Sequence, residues 1–151
     1  MRPQRDAGFT LIEVLVALAI IGAAVLLVAP AARTSLSPQL LRSTASDMAA
    51  LARATRAAAI RSGGERVLSV DLARRTIFAD GIRGPRSIPA HLGLDVAVAG
   101  GEVGADGVRH IRFLPTGGSS GGRITLQDGT RTASIEIDWL TGGARVATAA
   151  R

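Results

Sequence analysis

The sequence predicts an α+β protein, in which a long N-terminal transmembrane and amphipathic helix packs on a small antiparallel two-sheet β domain. Three observations predict it. No residue from Val14 to Ala32 is charged; small and apolar residues recur at helical spacing from Gln39 to Arg61; and short alternating runs divided by glycine pairs fill the remainder. The chain has 151 residues, enough for one ordinary domain and little more. Its 47% hydrophobic content averages over an apolar segment and a more ordinary soluble part, and does not describe one large core.

The apolar segment comes first. Phe9 to Ala29 is 21 residues, and at about 1.5 Å each this reaches roughly 31 Å, close to the hydrocarbon thickness of a bilayer. Glu13 opposes insertion, at about 2.5–3.5 kcal/mol for an acid at the centre of a spanning helix. The ten Leu, Ile and Val residues from Val14 to Val28 oppose it with roughly −3 to −6 kcal/mol. Insertion wins, and the orientation expected from Arg2 and Arg5 puts everything after Arg33 outside the cytoplasm. A secretory signal peptide with its cleavage site at Ala29-Pro30-Ala31 fits the basic head and the apolar length, but has no use for Glu13.

The helix then continues, with Pro30 and Pro38 expected to kink or interrupt it and Ser37 available as a local cap. Leu41, Ala45, Met48, Ala52, Thr55 and Ala59 fall on one stripe, while Arg42, Ser46, Arg53 and Ala57 turn away. Leu51 and Ile60 lie off the stripe, so the apolar face is wider than the ideal. Gly63 and Gly64 end the pattern. Four parts follow: a leader 1–8, an anchor 9–32, an amphipathic helix 33–62 and a β domain 63–151.

In the β domain, Val67–Asp71 and Arg75–Ala79 flank a polar turn and predict a hairpin. Further strands are expected at Leu92–Ala99, Val108–Leu114, Arg123–Gln127, Ala133–Leu140 and Ala144–Thr148. The best alternation sets Ile135, Ile137 and Trp139 against Glu136, Asp138 and Leu140. Gly81 to His91 is expected to be an irregular connection.

Composition removes several function classes. With no cysteine, disulfide scaffolds, thiolate metal sites and thiol nucleophiles are excluded. The only histidines, His91 and His110, are expected as surface or strand residues, and no cofactor or metal site is expected. Gly117-Gly118-Ser119-Ser120-Gly121 satisfies the G-x-S-x-G pattern, but a nucleophile elbow needs a helix after the serine and a histidine later in the chain. Here a strand is expected next, and both histidines come earlier. The net charge of +6 admits an acidic partner. Residues 33–62 carry five Arg against one Asp, and residues 63–151 eleven Arg against nine acids, so most of the excess lies on the helix near the membrane.

Gly8-Phe9-Thr10-Leu11-Ile12-Glu13-Val14-Leu15-Val16-Ala17-Leu18-Ala19-Ile20-Ile21-Gly22 resembles the leader junction and anchor of type IV prepilins and type II secretion pseudopilins. Phe113-Leu114-Pro115-Thr116-Gly117-Gly118-Ser119-Ser120-Gly121-Gly122-Arg123-Ile124-Thr125-Leu126, with Ile135-Glu136-Ile137-Asp138-Trp139-Leu140-Thr141-Gly142, is similar to the C-terminal signature of H-type minor pseudopilins and the related FimT minor pilins. The two matches bracket the chain. One departure is that Gly143 and Ala144 intervene before Arg145, which leaves the register of the last strand open.

The resemblance implies a type IV pilin-like fold and a noncatalytic filament subunit at or near the tip of a type II secretion pseudopilus, supporting export of folded proteins across the outer membrane. It implies peptidase cleavage between Gly8 and Phe9, N-methylation of Phe9, and an assembly role for Glu13. An opposite charge within about 4–6 Å, such as the Phe9 amine of a neighbouring subunit, eases the burden of a carboxylate away from water and so favours packing. Implied partners are the other minor and major pseudopilins, the inner-membrane assembly platform and, for processing, the prepilin peptidase. The location implied is the bacterial inner membrane, single-pass, with the C-terminal domain in the periplasm. The alternative is a FimT-like pilus subunit that binds DNA during uptake, with Arg123, Arg131, Arg145 and Arg151 as phosphate contacts. A third reading, a secreted enzyme with residues 1–31 as signal peptide, follows from the bland account of the N-terminus.

Overall fold

Why the chain folds as it does is visible in a computed structural model that describes residues 11–82, 84–99, 102–104 and 106–150, and of 24–38 and 150 the backbone. Helix α1 spans Leu11–Ser62, and the chain divides into two compact units, Met1–Leu36 and Ser37–Arg151. The helix passes Pro30 and Pro38 without a break, which corrects the expected interruption and the cap at Ser37. Each proline withdraws one donor, and the remaining ladder of a long helix outlasts two such losses. The first unit presents an exposed apolar surface over 11–23, Leu11, Leu15 and Ile20 among it. Among the described residues no helix is long and apolar enough to cross a membrane; the rest of the expected anchor 9–32 lies outside the described side chains.

In the second unit the helical stripe does what its spacing predicts. Leu41, Ala45, Met48, Ala52, Thr55 and Ala59 are all buried, joined by Ala49 and Leu51, and Arg42, Ser46 and Arg53 are exposed. Four of those buried positions are alanine, so this face of the helix is built largely of small side chains. The buried hydroxyl of Thr55 donates to the Leu51 carbonyl at 2.8 Å, which leaves no unsatisfied donor on that face. Gly63, at φ 63°, takes the left-handed conformation that ends the helix.

Among the described residues, eight strands form two four-stranded antiparallel sheets. The first has the order β3-β2-β1-β5, with β1 Arg66–Asp71, β2 Thr76–Ala79, β3 Arg86–Ser87 and β5 Arg109–Phe113. The second has the order β4-β6-β7-β8, with β4 Gly93–Val98, β6 Gly122–Asp128, β7 Arg131–Ile137 and β8 Ala144–Ala150. Leu68, Val70, Ile111 and Phe113 from the first sheet, and Ile124, Leu126, Ala133 and Ile135 from the second, share one core with the helix stripe. All of these are 0% exposed, so alternate positions on β1, β5, β6 and β7 supply the sheet side of the core.

The expected β1–β2 hairpin is present. Its turn is fixed by Asp71, whose Oδ1 accepts from the Arg74 backbone N–H at 2.7 Å and whose Oδ2 accepts from the Arg74 guanidinium at 3.0 Å. The Arg74 N–H holds the Asp71 carboxyl below its ordinary range against the opposing effect of burial. Arg75 follows in the left-handed region, at φ 53°. Its guanidinium donates to the carbonyls of Pro89 and Leu92, which pins the connection after β2. That connection is not wholly irregular: Arg86–Ser87 pairs with Thr76 and Ile77 as β3.

One further expectation is corrected, and one point left open is decided. Strand β7 ends at Ile137, so Trp139 leaves the alternation and stands 68% exposed with Leu140 at 67%. A period-two pattern cannot see the turn that Asp138 starts. The last strand begins at Ala144 and pairs Ala144 with Ile137 and Arg145 with Glu136, which fixes the register that the extra Gly143 and Ala144 had left open.

Candidate functional site: a glycine-rich loop and the turn it supports

The residues of the N-terminal motif divide. Gly8 and Phe9 lie outside the described residues. Glu13 is in the first turn of α1, exposed like the apolar residues around it.

The C-terminal signature makes a single local structure. Between β5 and β6 the chain turns through Leu114 to Gly121, and between β7 and β8 through Asp138 to Gly143; the two turns lie against each other. Ser119 N–H donates to the Trp139 carbonyl at 2.9 Å, and the Ser119 hydroxyl donates to the Asp138 carbonyl at 2.9 Å. Arg56 Nε, from α1, donates to the Gly117 carbonyl at 2.9 Å, and Arg53 donates to the Ala144 carbonyl at 3.3 Å. Helix, loop and turn are therefore tied through backbone carbonyls.

Close approach explains the glycines. A Cβ on Gly142, itself at φ 61°, would collide with the Gly117 carbonyl oxygen and lie 3.0 Å from Arg56 Cδ; one on Gly118 would lie 3.2 Å from the Trp139 carbonyl oxygen. Such contacts force the neighbours apart. The glycine run thus serves packing, and the G-x-S-x-G match has no nucleophile elbow. Ser119 precedes strand β6, and its hydroxyl is engaged with Asp138 and accepts from Gly121 N–H at 3.1 Å.

Asp138 organises the opposing turn. Its Oδ1 accepts from Leu140 N–H at 3.0 Å, Thr141 N–H at 2.7 Å and the Thr141 hydroxyl at 2.9 Å. The Thr141 N–H, then its hydroxyl, hold the Asp138 carboxyl below its ordinary range, with a smaller contribution from the Arg145 charge. This rigid turn carries Trp139 and Leu140 outward. Beside it lies an open groove of about 630 Å³, floored by Ala97, Gly121 and Gly122 and flanked by Arg123, Glu136, Trp139 and Arg145.

Of the four arginines singled out as phosphate contacts, the three that are described, Arg123, Arg131 and Arg145, do not form one basic patch. Arg123 and Arg145 both lie in register with Glu136, on either side of it, and Arg123 is bound to the Glu136 carboxylate at 2.7 Å. Arg131 opens β7 and pairs with Ala150 at the far end of the sheet, and Arg151 lies outside the described residues. A polyanion following this row meets a carboxylate between its two cations.

Of the histidines, His91 is exposed in a turn, and His110 on β5 places Nδ1 3.0 Å from the Ser69 hydroxyl of β1. Among the described residues no three His, Asp or Glu side chains cluster to hold a metal ion. The sequence reading missed Arg56 and Arg112. Arg112 binds Glu65 at 3.1 Å and Glu102 at 3.3 Å, and these two acids raise its pKa further above the ordinary arginine value. No spacing rule joins residues so far apart in sequence.

Comparison with known proteins covers both ends of this architecture. Residues 3–29 match the prokaryotic N-terminal methylation motif, and residues 44–143 match the family model of type II transport protein GspH. The type II secretion system protein H of Xanthomonas campestris is 30% identical over 138 residues, covering 91% of this chain and 81% of that protein. Among solved structures, the minor pseudopilin EpsH of the Vibrio cholerae type 2 secretion system superposes with a TM-score of 0.57 at 14% identity, covering 71% of this chain and 95% of that one. The type IV minor pilin FimU of Pseudomonas aeruginosa superposes with a TM-score of 0.52 at 11% identity, covering 71% and 87%. At those identities the two structures establish the shared fold, a helix packed on two small antiparallel sheets. The family match runs from within the helix stripe through the paired turns to the residue before β8, and the chain belongs to the type II transport protein GspH family.

Proposed function

We propose that the chain is a minor pseudopilin of a type II secretion system, a structural subunit at or near the pseudopilus tip that supports export of folded proteins across the outer membrane. The observation that carries this is the joint presence of a methylation motif at 3–29 and the family match at 44–143 in one chain. Its assembly partners would be other minor and major pseudopilins and the inner-membrane assembly platform. The subunit matures by cleavage between Gly8 and Phe9 with methylation of Phe9, stays in the inner membrane through residues 9–32, and keeps its β domain in the periplasm. Glu13 favours packing because a neighbouring Phe9 amine offsets its charge in lipid.

The uptake reading has less support, since Arg123 is held by Glu136 and most of the extracytoplasmic excess of charge is on the helix. The test is deletion of the gene in its host. Exoproteins then accumulate in the periplasm, and a plasmid copy restores their release. Normal export together with a fall in DNA uptake would overturn the proposal in favour of the pilus role.

A further inference from the structure

Among the described residues, three of the four sheet edges are closed. Strand β3 is only Arg86–Ser87, β4 lies beside β5, and the outer side of β5 is bridged at Arg109 by Val103 and at Phe113 by Ser119. The fourth edge is open. Strand β8 ends the order β4-β6-β7-β8, contains neither proline nor an acid, and is exposed from Arg145 to Ala149. Val146 is 40% exposed although Ile135, its neighbour across the ladder, is 0% exposed. Folded proteins ordinarily shorten, charge or cover an edge of this kind. Two hydrogen bonds set the direction of its backbone groups. The Gly143 carbonyl accepts from Asp138 N–H on the β7 side, and the Ala144 carbonyl accepts from Arg53 on the other. These directions alternate along an antiparallel ladder, so Arg145, Ala147 and Ala149 bond to β7 while the N–H and C=O of Val146 and Thr148 point to the open side. Such a row selects an extended backbone.

Charge selects among extended segments. One cross-strand row reads Arg123, Glu136, Arg145. Glu136 is bound to Arg123, and Asp138, the other acid near Arg145, has Oδ1 taken by three donors of its own turn. Both acids lie on the β7 side of Arg145, and Arg53 adds a second cation at the same end, so the open side of the edge is basic there. At the far end Arg131 is the β7 neighbour of Ala150, with Asp128 across from it on β6. A second β8 has no acid with which to continue the row, and Asp95, the acid of β4, sits on a strand already beside β5. We propose that β8 is a strand-addition site for an extended acidic segment of another protein. Its backbone pairs with Val146 and Thr148, a carboxylate continues the Arg123–Glu136–Arg145 row, and apolar side chains two residues apart lie beside Val146 and Thr148 on the core face. The site stands on the β domain alone, independent of the secretion reading.

The test presents the full-length chain, purified in detergent, to an array of short random peptides. Bound peptides are expected to share an acid beside apolar residues in alternation, and to slow amide hydrogen exchange at Val146 and Thr148. Arg145→Glu weakens binding of those peptides about tenfold and shifts selection toward lysine and arginine. Thr148→Pro removes an edge donor without touching the β7 ladder, so it abolishes binding with little change in thermal unfolding; Arg145→Glu carries the test if that proline disturbs the strand. Selection without an acidic preference, unchanged exchange at Val146 and Thr148, or no bound peptide would overturn the proposal. So would a wild-type dimer that Thr148→Pro dissolves, since the occupant would then be a second copy.

Discussion

Arg56 Nε donates to the carbonyl oxygen of Gly117 at 2.9 Å, across 61 residues of sequence, and so joins the helix to the loop that supports the Trp139 turn. Arg56 itself is only partly buried, and the carbonyl it binds sits at the closest approach between two turns. The behaviour of that junction can be tested without knowing the partner it serves.

Gly142→Ala is expected to destabilise the fold by on the order of 3 kcal/mol, from the left-handed backbone and the clash with Gly117 together. Gly129 provides the comparison. It has φ 58°, but nothing lies within 4 Å of the point where a Cβ would stand, so Gly129→Ala should lose only about 1 kcal/mol. Thermal unfolding of the two variants separates backbone strain from close approach; equal losses would mean that the contact between the turns contributes nothing.

Acid should weaken the two aspartate-organised turns. Both Asp71 and Asp138 have folded pKa values below their ordinary range, so the unfolded chain binds their protons first as pH falls. The stability they contribute is complete above the unfolded value, about 3.9, and is lost as pH falls from there through the folded values. Urea unfolding at pH 7 and pH 3 checks this. Asp138→Ala should be less stable than wild type at pH 7 and should lose less on acidification.

The Arg123–Glu136 pair lies on the surface, with side chains 60% and 53% exposed. A double-mutant cycle should therefore give a coupling of no more than about 1 kcal/mol, shrinking in high salt. Its larger effect is on ligands. Glu136→Gln should strengthen oligonucleotide binding by the full chain if the arginine row ever contacts phosphates, and leave it unchanged if the row is an ordinary solvated face; titration at two salt concentrations reads the difference.

At the N-terminus, mass spectrometry of the mature chain should find methylated Phe9 as the first residue. A chain starting at Ala32 would support the signal-peptide alternative. Glu13→Val should fractionate with the inner membrane at least as well as wild type, because it removes the residue that opposes insertion, yet fail to restore export in the deletion strain. Restored export would remove Glu13 from assembly.

Much of this architecture could be read directly from the residues. The stripe from Leu41 to Ala59 announced a buried helical face, because a 3.6-residue period has one structural meaning at that length. Paired glycines marked the starts of β6 and β8. Trp139 was misplaced for an equally physical reason: Ile135 and Ile137 set an alternation that Trp139 continues, and only the hydrogen bonds converging on Asp138 reveal that the chain has already turned.

The sequence by itself determined the fold class, the helical face that docks and the family signature, since each depends on local periodicity or on contiguous motifs. Tertiary structure alone decided that the glycine-rich loop is a packing device, that Arg56 closes it, that Glu136 separates Arg123 from Arg145, and that Trp139 faces outward. Those relations join residues distant along the chain, and their distances are set by how the sheets and helix pack rather than by any spacing in the sequence.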